Sequence, residues 1–228
     1  MNIFIMGSVA FDEINFFPGK FKDAIDVNYL DKLSVSFVVN KIGHFFGGCA
    51  GNICYSLGLL KTPAYICTII GVDGDIYIEA LKELGIKTDY LKKNDGFTPK
   101  ANINSDSDGN QIVSFAPGVI GMDSEDFVLP EIASEGDIML IGPENHNRML
   151  QAFEQATSKK LRVFFDPGQL IHTFSKEEFE KVLSGCDGLF VNSYEWELLK
   201  KISEKTEEEI VKTISLIFIT DGENRVKF

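Results

Sequence analysis

Phe46-Gly47-Gly48-Cys49-Ala50-Gly51-Asn52 is the stretch of this chain best suited to meet a polar ligand. Three glycines and an asparagine stand at the mouth of an apolar helix, so backbone and side chain can approach a ligand with no Cβ in the way. Glycines at a helix entrance also serve packing alone, and the spacing leaves both readings open. Asp12 follows an apolar run closed by Gly7, which puts it just past the carboxyl end of a first strand. A carboxylate there can accept two hydrogen bonds from vicinal hydroxyls of a sugar or ribose. An aspartate in a loop is otherwise a turn former or a cap. Asn192 and Glu195 follow another apolar run. As a helix cap with an acidic first turn they have a complete structural account, which position alone favours. Functionally, an amide and a carboxylate could hold water on a magnesium ion or bind a phosphate. Asp73 or Asp75 is expected to cap the helix that begins at Ile76.

Composition narrows the partners. Among 228 residues, Lys+Arg 22 against Asp+Glu 34 gives −12, and the basic residues are scattered, which argues against nucleic acid or an anionic membrane. With 44% hydrophobic and 25% charged residues the chain can bury a substantial core. The four cysteines, Cys49, Cys54, Cys67 and Cys186, show no C-x-x-C spacing and no neighbouring histidine, so reduced thiols rather than zinc are expected. No run approaches a membrane span, and Met1 leads into an apolar strand without a basic leader, so a cytoplasmic protein is expected.

The elements that must position these residues begin with a strand over 2–7. Residues 13–45 break into short alternating pieces such as 34–39, the look of a small antiparallel excursion from the main sheet. A helix is predicted over 52–60 with Ile53, Leu57 and Leu60 on one face, then a buried strand over 64–70. A helix over 76–84 carries Ile76, Ala80 and Leu84 in register. Residues 90–116 read as a hairpin around Asp106-Ser107-Asp108-Gly109-Asn110, closing on the hinge-like Ala116-Pro117-Gly118. Strands over 137–141, 162–165 and 188–191 alternate with helices over 147–157 and 176–183, which specifies a parallel sheet with helices on its faces. Their following loops, Gly142-Pro143-Glu144-Asn145, Asp166-Pro167-Gly168-Gln169 and Asn192-Ser193-Tyr194-Glu195, collect polar residues at one edge. A helix continues through Trp196, Leu199 and Ile202, and 206–214 forms another. Strand 216–219, a turn over 220–224 and an extended piece from 225 end the chain. A strand so apolar is expected to be central and covered. Since nothing follows to pair or cover it, the chain is expected to be incomplete at its C-terminus.

In order and spacing these motifs resemble the ribokinase-type carbohydrate kinases, the PfkB family, from end to end. The stretch from Gly7 to Asp12 is similar to the family's first strand and substrate-binding aspartate. Gly47-Gly48-x-Ala50-x-Asn52, with Gly58 downstream, resembles the signature whose glycines and asparagine contact the sugar. Gly71-Val72-Asp73-Gly74-Asp75 looks like the G-x-D-x-x-G region with its second glycine displaced. Asn192-x-x-Glu195 matches the N-x-x-E motif linked to magnesium and phosphate, which reverses the preference for capping alone. Thr220-x-Gly222 resembles the T-x-G segment beside the nucleotide, with Arg225 in place of a usual glycine. The Phe165–Gln169 and Ala116-Pro117-Gly118 segments look more like nucleoside- and adenosine-kinase-like members.

The resemblance implies one ribokinase-like α/β domain over 1–228, a parallel sheet with flanking helices plus a small antiparallel β lid from segments near 13–45 and 88–116. It implies ATP and Mg²⁺ as cofactors and γ-phosphate transfer to a hydroxymethyl group of a sugar or nucleoside. Asp12, Gly47, Gly48 and Asn52 would hold the acceptor. Asn192, Glu195, Thr220 and Gly222 would serve the nucleotide, with Glu195 holding Mg²⁺ through water, and the lid would form a homodimer contact. The family's catalytic base lies in a G-A-G-D motif, and no G-x-G-D occurs in this sequence. Loss of a general base costs on the order of 10²–10⁴ in rate, so this chain is expected to bind weakly and turn over negligibly. The competing expectation is a non-catalytic sugar- or nucleoside-binding protein derived from the same fold. A dinucleotide enzyme is disfavoured because no G-x-G-x-x-G follows the first strand.

Overall fold

The computed structural model describes residues 1–26, 31–32, 34–121, 125–222 and 225–227. The chain opens with β1 (Ile3–Met6), turns at Gly7-Ser8-Val9 and enters β2 (Ala10–Phe16). A one-turn helix, α1 (Phe21–Ala24), precedes β3 (Lys41–Gly47), which runs through Gly48 into α2 (Cys49–Leu59). Then come β4 (Tyr65–Ile66), β5 (Ile69–Ile70), α3 (Asp75–Glu83) and β6 (Lys92–Lys93), followed by the hairpin β7 (Lys100–Ser105) and β8 (Gln111–Ala116). The remainder alternates as β9 (Ile138–Ile141), α4 (His146–Ser158), β10 (Arg162–Phe165), α5 (Lys176–Gly185), β11 (Gly188–Asn192) and α6 (Ser193–Ser203). It ends with α7 (Glu207–Val211), β12 (Leu216–Asp221) and β13 (Arg225–Lys227).

Seven strands form the main sheet in the order β13-β12-β11-β10-β9-β1-β4, parallel throughout except at β13. Side-chain alternation along β1 divides the core. Phe4 and Met6 face a cluster that includes Met149, Phe179 and Trp196 from α4, α5 and α6. Ile5 faces Ala50, Cys54, Tyr77 and Leu81 from α2 and α3. Helices therefore cover both faces of the sheet, as the strand-helix alternation requires.

A second sheet, β3-β2-β7-β8, is attached where β1 ends. β2 pairs antiparallel with β3 and parallel with β7, and β7 pairs antiparallel with β8. Asp106 organises the β7–β8 turn, its carboxylate accepting from the amides of Asp108, Asn110 and Phe21 at 3.0, 2.8 and 3.0 Å. That last bond ties α1 to the hairpin.

Several expectations are corrected. Residues 34–39 form no strand, so the excursion owes its strands to 10–16 and 41–47. The single strand expected over 64–70 is two short pieces in different sheets, because Thr68 between them turns its hydroxyl to Glu144 at 3.0 Å. Helix α2 starts three residues early and buries Ala50, Gly51 and Cys54; Ile53 and Leu57 pack beside them, while Leu60 is 74% exposed. Helix α3 starts at Asp75, which rotates Tyr77 and Leu81 inward and leaves Ile76 66% exposed. The last helix is confined to α7. Strand β12 is paired on both sides, by β11 and β13, yet none of its residues is fully buried. The turn expected over 220–224 lies partly outside the described residues. Among the described residues no helix is long and apolar enough to cross a membrane.

Candidate functional site

Asp12 lies on β2 opposite Phe45, not in a loop after β1, because the chain turns at Gly7-Ser8-Val9 and re-enters a strand at once. Its carboxylate packs on the Cα of Gly47, where a Cβ would stand 2.1 Å from Oδ2. Burial pushes the Asp12 carboxyl above its ordinary value. No hydrogen bond to this carboxylate is found among the described residues. A partly desolvated carboxylate without donors gains from ligand hydroxyls that supply them.

The glycines around it make room for protein groups. Gly48 caps α2 at φ 85°, where a Cβ would lie 2.5 Å from the Ser8 carbonyl oxygen. Ser8 then takes up the first helix amides: Cys49 N donates to Ser8 Oγ at 3.2 Å, and Ala50 N and Gly51 N to the Ser8 carbonyl at 3.0 and 3.4 Å. The first amides of α2 are thus spent on Ser8, as the packing reading of these glycines allows. A Cβ on Gly51 would fall 1.8 Å from the Tyr77 hydroxyl, which donates to the Gly47 carbonyl at 2.6 Å. Asn52 is exposed on the first turn of α2 and borders a hollow of about 300 Å³ with Phe46, Tyr55 and Tyr77.

A larger cavity, about 450 Å³, opens beside the other face of α2's first turns. Cys49 and Ile53 line it on one side and Asp166, Gln169, Asn192, Glu195 and Thr220 on the other. Asn192 and Glu195 form a reciprocal cap: Glu195 N donates to Asn192 Oδ1, and Asn192 N to Glu195 Oε2, each at 2.8 Å. The capping reading of this pair is what the geometry shows, and the cap fixes both side chains at the cavity wall. Ser193 Oγ reaches the Thr220 carbonyl at 3.1 Å and the Asp221 carboxylate at 3.0 Å, fastening β12 to the start of α6. Gly222 occupies the turn after β12 with φ 54°, a left-handed conformation that suits glycine, and it is absent from the cavity lining. Asp12 and Asn52 are likewise not among the residues lining this cavity.

Asp166 was not singled out by sequence reasoning. Burial first, then the charge of Glu195, push its carboxyl up to about 6, against a Gly168 N–H donating at 2.9 Å. The available signal was its place at the carboxyl end of β10, the same edge as Asn192. Among the described residues no group of three or more His, Cys, Asp or Glu could hold a metal. Two carboxylates on one cavity do suit magnesium, which takes one or two carboxylates and completes its shell with water and phosphate.

Neither Asp73 nor Asp75 caps α3; Gly74 takes that position without a side-chain bond, and Asp75 is the first residue of the helix. Asp73 Oδ1 instead accepts from Thr98 N at 2.7 Å and Thr98 Oγ1 at 2.6 Å. Burial raises the Asp73 carboxyl, but these bonds outweigh it and hold it below its ordinary value. Asp75 pairs with Lys93.

A helix-covered parallel sheet with polar loops at the carboxyl ends of its strands, carrying a small second sheet beyond β1, defines the architecture of ribokinase-like proteins. The chain belongs to the pfkB family of carbohydrate kinases, whose family profile matches residues 9–226. It is 26% identical over 199 residues to the nucleoside kinase of Methanothermobacter thermautotrophicus, covering 85% of this chain and 60% of that protein. The nucleoside kinase of Methanocaldococcus jannaschii is 26% identical over 181 residues, covering 78% and 59%. The chain thus spans about 60% of the length of these curated relatives. Among solved structures, the Burkholderia thailandensis nucleoside kinase in complex with inosine superposes with TM-score 0.78 at 29% identity, covering 98% of this chain and 71% of that one. The Methanocaldococcus jannaschii enzyme gives TM-score 0.81 at 22% identity, covering 99% and 72%, a likeness of fold.

Proposed function

We propose that this chain forms the acceptor-binding and part of the nucleotide-binding body of an ATP-dependent kinase that phosphorylates the hydroxymethyl group of a nucleoside or related sugar. The observation that carries this reading is Asp12, a partly buried carboxylate that no donor among the described residues reaches, packed against Gly47 where a Cβ would clash. Vicinal ribose hydroxyls would supply the missing donors. Gly47, Gly48 and Asn52 would shape the acceptor side. Relatives that bear the name nucleoside kinase, and the Burkholderia thailandensis complexes with inosine and with ADP-inosine, favour a nucleoside over a free sugar.

Asn192, Glu195, Thr220 and Gly222 would serve the ATP side. Asp166 and Glu195 would hold a magnesium ion, which when bound would neutralise charge on phosphate oxygens. A cation there would also offset the Glu195 charge that adds to burial in raising Asp166. The four-stranded sheet, drawn from segments near 13–45 and 88–116, would act as a lid that excludes water, with a homodimer contact on its outer side. We place the general base outside these residues, because no G-x-G-D occurs among them. Four unpaired cysteines, three of them buried, suit a reducing cytoplasm.

A thermal-shift panel of nucleosides and sugars, each with and without MgATP, tests the proposal. Stabilisation by ribonucleosides, and less by their 2′,3′-dideoxy analogues, is expected. A panel with no stabilising ligand would refute it.

A further inference from the structure

One side chain of α3 touches every part of the arrangement that sets Asp12. Tyr77 is 2% exposed, and its hydroxyl donates to the carbonyl of Gly47 at 2.6 Å. Its ring stacks on Phe46, with centroids 4.7 Å apart and planes at 25°, and leans on Phe11 at 5.8 Å. Phe11 precedes Asp12, and Phe46 precedes Gly47. Gly51 has no Cβ where one would occupy the hydroxyl's place, 1.8 Å from its oxygen. Gly47 is also where β3 of the four-stranded sheet gives way, through Gly48, to α2 of the main body. A short hydrogen bond there fixes the peptide about which β3 leaves the body, and Asp12 rests on that same residue.

We infer that Tyr77 is a positioning residue for Asp12. Its hydroxyl holds the Gly47 carbonyl and its ring braces the two phenylalanines, so the Asp12 carboxylate stays where an acceptor diol meets it. The Tyr77 hydroxyl, spent on the Gly47 carbonyl, acts on Asp12 through Gly47. Asp73, four residues earlier, makes an analogous grip on Thr98, just before β7 enters the same sheet. The segment from Asp73 to Tyr77 therefore clasps two of the crossings between the four-stranded sheet and the body. This inference rests on the acceptor reading of Asp12 given above.

Tyr77→Phe keeps the ring contacts and removes the single hydroxyl, so the variant is expected to fold. Calorimetry with inosine should show affinity falling about five- to tenfold, the scale of one lost net hydrogen bond. In an Asp12→Asn background the same change should have no further effect, because Tyr77 acts through Asp12. An unchanged affinity in Tyr77→Phe, or an equal loss in both backgrounds, would overturn the inference. Should the wild-type chain bind no nucleoside, the functional reading fails, and amide hydrogen exchange still decides the structural claim. Faster exchange in Tyr77→Phe confined to residues 44–52 supports the clasp, and unchanged exchange there refutes it.

Discussion

The carboxylate of Asp12 and the Cα of Gly47 lie so close that a Cβ on residue 47 would sit 2.1 Å from Asp12 Oδ2. The contact is tighter than side chains tolerate, so the Asp12 position depends on glycine at 47. Gly47→Ala is expected to displace Asp12 and to cost about 1–3 kcal/mol of stability through overpacking. Nucleoside affinity should fall at least about tenfold, the loss of a charged hydrogen-bond acceptor. Urea unfolding and titration calorimetry read the two effects separately.

Asp166 makes stability depend on pH. Burial, and then the charge of Glu195, push its carboxyl up to about 6 in the folded chain, against about 3.9 when unfolded. Between those values the folded state binds more protons, so stability falls as pH rises through the window. The contribution is greatest below about pH 4 and is lost above about 6, leaving a cost of roughly 2 kcal/mol once discounted for partial exposure. Asp166→Asn is therefore expected to raise Tm by roughly 5 °C at pH 7.5 and to leave it unchanged at pH 4. Equal melting of the two proteins at pH 7.5 would show that Asp166 ionises normally.

Beneath the loop after β9, Glu144 and Arg148 form a buried ion pair at 2.6 Å. Thr68 completes the Glu144 side, and the Glu125 carbonyl accepts from Arg148 at 2.7 Å. Burial pushes the Glu144 carboxyl up, and Arg148 opposes the shift. Arg148→Met leaves a carboxylate buried without its partner and should cost about 3–5 kcal/mol. Glu144→Gln combined with Arg148→Met should recover much of that loss. Urea melts of the single and double variants check it.

The second half of the fold was legible because its signals are local. The strand expected over 162–165 is β10 itself, and Asn192 caps α6 as a polar residue ahead of an apolar-periodic helix should. The glycine-rich stretch was legible as a special place, but its mechanics were not. Gly48 makes way for Ser8, Gly47 for Asp12 and Gly51 for Tyr77, contacts between residues 26 to 40 positions apart by their numbering. No local pattern reports such partners. Asp73 looked like a cap because aspartate before a helix usually is one, and a threonine 25 residues away outcompeted the helix amides. Asp166 was legible only as part of a polar loop, because its raised carboxyl depends on burial and on Glu195, neither visible in sequence.

Titration calorimetry of inosine against the wild-type chain and Asp12→Ala tests the acceptor site most directly. Saturable binding by the wild type, weakened by about 1.5–3 kcal/mol in Asp12→Ala with the fold retained, is expected. An identical dissociation constant in the two proteins, or no binding by the wild type, would contradict it.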